Sequence, residues 1–237
     1  MLICVIIIMI VAKLKSRIKM THLVLDKTMK NQILKHVTQH ISPSNLPRSC
    51  ASLAFVPKHR SAEEEDIHKV QEFVTNAENL LVITGAGIST ESGIPDYRSE
   101  DVGLYATSSK RPIQHKVFME SKKARQSYWA RNFVGWPRWS GFLPNINHIS
   151  LARWERMGKV GCLITQNVDQ LHYKAGSRNV IELHGTNSRV VCMSCCFSQP
   201  RIQFQRQLEH LNPSMIAKVL TNCTSKYIDI LLFSLLD

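Results

Sequence analysis

The chain has 237 residues, 44% hydrophobic and 20% charged, with 30 Lys and Arg against 18 Asp and Glu and a formal net charge of +12. That length holds one large domain or a domain with appendages, and the composition excludes a disordered, collagen-like or disulfide-stapled class. Seven cysteines, an odd number with one close pair, argue for free or metal-bound thiols in a reducing interior rather than a secreted disulfide framework.

The charge sits at one end. Residues 1–60 hold ten basic residues, from Lys13 to Arg60, and a single acid, Asp26, so the rest of the chain is close to balanced. A nucleic-acid protein carries its basic residues on the folded part, within a recognisable module, so nucleic acid is not an expected partner. Leu2–Ala12 is an unbroken apolar run of 11 residues, too short for a membrane span of roughly 20 residues. Its basic residues follow the run, unlike those of a secretory signal. From Met20 to Arg60 the composition resembles a mitochondrial transit peptide, with Ile33, Leu34, Val37 and Ile41 at helical spacing; a disordered basic tail is the alternative. Met20 is a candidate internal start.

Ser61-Ala-Glu-Glu opens a different regime, with a hydroxyl placed to cap a helix and carboxylates suited to its N-terminal dipole. Ile67, Val70, Phe73, Val74 and Ala77 predict an amphipathic helix over 62–78. Leu80–Thr84 reads as a buried parallel strand, followed at once by Gly85-Ala-Gly87. Between 98 and 145 the chain is rich in aromatic and basic residues, which predict a small helical layer. A helix over 147–157 leads to a second apolar run, Val160–Thr165, that ends in Gln166-Asn-Val-Asp169. Polar residues directly after two such strands mark the place where open α/β sheets bind ligands. Val180–Leu183 is strand-like, and Gln203–His210 predicts a helix. Tyr227–Leu236 is an apolar stretch with no evident partner.

Glycines at 85 and 87 let the backbone turn tightly and approach a phosphate with free N–H groups. A short GxG is equally often only a turn, and the third glycine of the Rossmann fingerprint is absent. The continuation Gly85-Ala-Gly-Ile-Ser-Thr-Glu-Ser-Gly-Ile-Pro-Asp-Tyr-Arg-Ser99 resembles the NAD-binding signature of the sirtuin family. Thr165-Gln-Asn-Val-Asp-Gln-Leu-His172 and Glu182-Leu-His-Gly185 resemble two further sirtuin signatures, in the family's order. Arg111–His115 and Tyr128–Trp136 are similar to the class II mitochondrial branch.

The resemblance covers about 55–213. It implies an α/β fold with a Rossmann-like parallel sheet and a small helical and zinc-binding insertion. It also implies NAD-dependent lysine deacylase, lipoamidase or ADP-ribosyltransferase activity on acyl-lysine proteins, such as mitochondrial matrix enzymes. Gly85, Ala86, Gly87 and Ser89 would hold the dinucleotide. Ile94, Asp96, Tyr97 and Arg98 would shape its nicotinamide-ribose end, with Tyr97 where many relatives have Phe. Gln166, Asn167 and Asp169 would contact the ribose and the nicotinamide amide, and His184 would be the catalytic base. Imidazole suits that task because it titrates near neutrality, whereas His172 reads as structural. Tyr128 and Arg131 would favour an acidic acyl group, or are packing and surface charge.

Cys192-Met-Ser-Cys195 has the spacing that lets two thiolates reach one tetrahedral zinc. The resemblance implies a second such pair downstream; Cys223 is the one later cysteine. The family's continuation, a glycine-rich strand end for the adenosine side of NAD and a strand that pairs with the peptide, is not recognisable in 214–237. The expected organisation is therefore a basic extension over 1–60, a partial catalytic domain over 61–213 and a divergent tail over 214–237. Its rival in function is a catalytically impaired binding module.

Overall fold

In a computed structural model, the described residues are 7–9, 53–109, 111–213 and 215. The basic segment 20–52, Cys223 and the apolar stretch 227–236 lie outside them. The first helix, α1, spans Glu64–Asn76 and carries Glu64, Glu65 and Asp66 in its first turn, where carboxylates favour the dipole. Glu63 occupies the cap position and makes no side-chain capping bond, so Ser61 does not cap the helix as its sequence position suggested. The carbonyls at the other end of α1 are met by Lys159, whose ammonium donates to the backbone of Thr75 and Ala77.

Strand β1 is Ile7–Met9 and β2 is Leu80–Thr84. After β2 come a 3₁₀ segment over Ala86–Ser92 and four helices: α2 (Leu104–Thr107), α3 (His115–Glu120), α4 (Lys122–Gly141) and α5 (Ile146–Arg156). The chain then enters β3 (Val160–Thr165), the short α6 (Leu171–Ala175) and β4 (Val180–Glu182). A hairpin of β5 (Arg189–Val191) and β6 (Ser198–Pro200) leads into α7 (Arg201–Leu211).

The main sheet has the order β1-β2-β3-β4, with β2, β3 and β4 parallel. Helices carry the chain between these parallel strands, which is the α/β architecture. Strand β1 runs antiparallel beside β2, pairing Ile7 with Ile83, Ile8 with Val82 and Met9 with Leu81. Three residues of the apolar run 2–12 thus form a strand beside β2.

One face of the sheet carries the core. Leu80, Val82, Val160 and Leu163 from the strands meet Val74 of α1, Leu151 of α5 and Ile88, with Phe73, Ala77, Trp154 and Val180 around them. Burial alternates along β2, so Leu81 and Ile83 on its other face are only half-buried, short of the two-sided burial its sequence suggested. On β4, Ile181 is exposed, as is Leu183 just beyond it.

The predicted aromatic layer is formed by α3, α4 and α7. Phe118, Tyr128, Trp129 and Phe204 make successive edge contacts with centroids 4.7–5.4 Å apart, a packing role for Tyr128. Arg201, only 3% exposed, stacks 4.6 Å from the Trp136 ring and donates to the Asn132 carbonyl.

Candidate active site

The carboxyl ends of β2, β3 and β4 converge on one rim. The β2 end leads into Gly85, the β3 end into Gln166 and Asn167, and the β4 end into His184. Backbone bonds fix their relative height: Gln166 N–H donates to the Thr84 carbonyl at 3.0 Å and Leu183 N–H to the Thr165 carbonyl at 2.9 Å. Side chains then tie the ends together. Asn167 Nδ2 donates to the Gly85 carbonyl at 3.0 Å and to Ser89 Oγ at 3.2 Å, and Ser89 Oγ donates to Asp169 Oδ2 at 2.7 Å. The other Asp169 oxygen accepts from Leu171 N–H at the start of α6. A Cβ built on Gly85 meets nothing within 4 Å, so the turn leaves open space beside this network for a ligand to approach the backbone.

Beneath the rim lies a layer of buried polar side chains. Thr84, Ser89, Thr90, His148, Thr165, Asp169 and His172 are all under 8% exposed. Thr84 Oγ1 donates to Thr165 Oγ1 at 2.9 Å and lies 2.9 Å from His172 Nε2. Asn145 caps α5, its Oδ1 accepting from Asn147 N–H and His148 N–H, while its Nδ2 donates to the Ile88 carbonyl. That cap pins the glycine turn to the helix. The signal was present in the sequence, since Asn145 stands immediately before Ile146, the first residue of the helix. His148 carried no such mark.

His184 sits on the exposed rim. Its Nδ1 is 3.0 Å from the Gln166 carbonyl, an oxygen that can only accept, so Nδ1 carries the hydrogen and Nε2 presents a lone pair. Gly185 follows with φ +73°, a left-handed turn that suits glycine. An imidazole held this way can take a proton from a hydroxyl brought to the rim.

The structure does not bring every predicted site residue into this network. Ile94 is buried, and its N–H donates to the Ser89 carbonyl. Asp96 spends its carboxylate on its own loop, Oδ1 accepting from the N–H groups of Arg98 and Ser99 and Oδ2 from Ser99 Oγ. Tyr97 is 46% exposed against Tyr105, and Arg98 is exposed. A separate polar cleft of about 450 Å³ opens between β4 and the β5–β6 hairpin, lined in part by Gln170, Glu182, Thr186 and Arg189.

Cys192 and Cys195 stand at the turn between β5 and β6. Backbone N–H groups of Cys195 and Ser194 point at the Cys192 sulfur and lower its pKa, an arrangement that suits a metal-bound thiolate. The adjacent Cys196 is exposed with φ +59°. Among the described residues no group of three His, Cys, Asp or Glu gathers to hold a metal, so the pair fits half of a tetrahedral set.

A profile of the Sir2 family matches residues 85–231. The NAD-dependent protein deacylase Sirt4 of Drosophila melanogaster is 53% identical over 171 residues, covering 72% of this chain and 55% of the relative. The human NAD-dependent protein lipoamidase sirtuin-4, mitochondrial, is 52% identical over 179 residues, covering 75% and 57%. The chain thus spans little more than half the length of these relatives. A solved Sir2 structure with p53 peptide and NAD+ is 30% identical with a TM-score of 0.51, covering 60% of this chain and 55% of that one.

Burial pushes His148 down to about 4, and burial together with the neighbouring His148 does the same to His172, against the smaller opposing pull of Asp169 and Glu155. Both rings are neutral in the folded chain at neutral pH. Between their ordinary value of 6.5 and about 4 the unfolded chain binds protons that the folded chain refuses. Their contribution is therefore complete above that window and falls as pH drops through it, by roughly 3 kcal/mol for a single ring. Urea unfolding at pH 7.5 and pH 5 is expected to show about 2 kcal/mol of this loss per ring, and a smaller loss in a His148→Gln, His172→Gln chain. An identical loss in that chain would contradict the assignment.

Proposed function

The chain belongs to the Sir2 family, and from that premise we propose that it serves NAD-dependent acyl-lysine chemistry, as a sirtuin-4-like protein deacylase, lipoamidase or ADP-ribosyltransferase. The observation that carries the reading is His184, its Nδ1 held by the Gln166 carbonyl and its Nε2 free, on the same rim as the Ser89–Asn167–Asp169 network. In the proposed reaction the acyl-lysine oxygen attacks C1′ of the nicotinamide ribose and the C1′–N bond breaks, expelling nicotinamide. His184 Nε2 then takes a proton from a ribose hydroxyl, whose oxygen attacks the imidate carbon; a water adds at that carbon as its bond to the lysine nitrogen breaks, leaving free lysine and O-acyl-ADP-ribose. Gly85, Ala86, Gly87, Ser89 and Ile94 build the turn that receives the dinucleotide. Asn167 and Asp169 supply a donor and an acceptor to its ribose hydroxyls, and Gln166, exposed at the β3 end, is positioned for the nicotinamide amide. Asp96, Tyr97 and Arg98 form the loop over that end, with Asp96 shaping the loop rather than meeting the ligand.

Cys192 and Cys195 would take two positions of a structural zinc that stiffens the β5–β6 hairpin. The names of the mammalian relatives support a mitochondrial address, which we assign to residues 1–60 as a matrix-directing extension, with 61–213 as the catalytic part and 214–237 as a divergent tail. A reporter fused to residues 1–60 that stayed in the cytosol would refute that assignment. Among the described residues no helix is long and apolar enough to cross a membrane.

With NAD and acyl-lysine peptides, the purified full chain is expected to release nicotinamide. His184→Ala should lower that rate by about 100-fold or more while calorimetry finds NAD affinity within about twofold. NAD binding without turnover in the parent chain would favour the binding-module reading instead, and release unchanged by His184→Ala would refute the proposed base. Zinc content of the same preparation should fall in Cys192→Ser; unchanged content would place the metal elsewhere.

A further inference from the structure

The Ser89 hydroxyl stands between two acceptors and has one proton to give. Asp169 Oδ2 lies 2.7 Å from Ser89 Oγ, and His148 Nε2 lies 3.5 Å from it on another side. The far nitrogen of the ring determines what Nε2 is. His148 Nδ1 is 2.9 Å from Asn145 Oδ1. That oxygen also accepts from two backbone N–H groups, while the Asn145 amide nitrogen is committed to the Ile88 carbonyl. A carbonyl oxygen has no proton to give, so Nδ1 carries the hydrogen and Nε2 a lone pair. While Asp169 takes the Ser89 proton, Nε2 and Ser89 Oγ face each other lone pair to lone pair, and His148 is fully buried. A buried acceptor left without a donor is costly. The layer thus holds an acceptor in reserve beside the one hydroxyl of the turn that reaches Asp169.

We propose that His148 is a positioning residue of the dinucleotide site, the second acceptor to which the Ser89 hydroxyl turns when a ligand hydroxyl engages Asp169. This rests on the NAD reading above. No covalent bond is made or broken: the O–H rotates about Cβ–Oγ from Asp169 Oδ2 to His148 Nε2, and the freed carboxylate oxygen accepts the proton of a ribose hydroxyl. Ser89 keeps one donated bond in each state, so the ligand gains Asp169 without stranding the buried hydroxyl. The 3.5 Å gap lies at the outer limit of a hydrogen bond, so the bond to Nε2 tightens on turning and is not made at rest. His172 backs the ring, its centroid 4.8 Å away and its own Nε2 beside Thr84 Oγ1. The ring is therefore confined from below as well as from Asn145.

Two substitutions separate this role from simple packing. In His148→Gln the side-chain amide reaches the position of Nε2, whereas in His148→Asn it reaches only that of Nδ1. The NAD KM is expected to rise about fivefold in His148→Asn with kcat held within about twofold, and to return to within about twofold of the parent in His148→Gln. A second measurement needs no ligand. Ring ¹⁵N resonances of the full chain should report hydrogen on Nδ1 of His148. In Asp169→Asn the new amide nitrogen donates to Ser89, so the hydroxyl turns and the Nε2 resonance moves upfield. Hydrogen on Nε2 in the parent, an unmoved Nε2 resonance in Asp169→Asn, or equal KM rises in both His148 variants would overturn the proposal. Failure of the parent to bind NAD would refute the family-based reading instead, with the ring resonances still deciding whether the hydroxyl turns.

Discussion

The hydrogen bond from Ser89 to Asp169 joins residues 80 apart in sequence and only 2.7 Å apart in space. Ser89 lies on the turn after β2, and Asp169 lies between β3 and α6. Parallel strands next to one another hold each other's backbones, but their carboxyl ends open into separate loops. Those loops stay together only if side chains bridge them. Asn167 adds the remaining bonds, one to Gly85 and one to Ser89. The rim is thus organised by three polar side chains, Ser89, Asn167 and Asp169.

That organisation imposes a constraint on what lies beneath. Polar atoms removed from water must find partners, or the site loses more than it gains. The Thr84–Thr165 pair, Asn145 and the two histidines meet most of this demand; His172 Nδ1 is an exception, buried with no hydrogen-bond partner. The rings stay neutral because burial disfavours their charged form. His184 is the contrast: the same side chain, exposed and bonded through Nδ1 to a backbone carbonyl, offers its other nitrogen to solvent. Burial separates the two kinds of histidine far more clearly than sequence context does.

The legible parts of the sequence were those whose signal is local. Leu80–Thr84, Val160–Thr165 and the helix that precedes each of them follow from apolar spacing and from the polar or glycine residues that end each run, and the structure has them within two residues. Gly85, Ser89, Asn167 and Asp169 were legible as a group through family resemblance, and the structure brings their side chains and backbone together. What local pattern could not give was partnership. Ile7–Met9 became an edge strand because β2 had an unfilled side, which no residue near position 7 encodes. His148 stands 3.5 Å from Ser89, a neighbour 59 residues away in sequence. Asp96 has its carboxylate claimed by its neighbours Arg98 and Ser99, a local turn preference that apolar spacing does not reveal.

The central claim is that Ser89 and Asp169 act as one unit that fastens β2 to β3 at the rim. A double-mutant cycle on the full chain, with Ser89→Ala, Asp169→Ala and the combination compared by urea unfolding at pH 7.5, measures that coupling without reference to any ligand. The account predicts that the losses are not additive, with a coupling of about 1–2 kcal/mol, as expected for a buried hydrogen bond to a carboxylate. Additive losses, within about 0.3 kcal/mol, would contradict it.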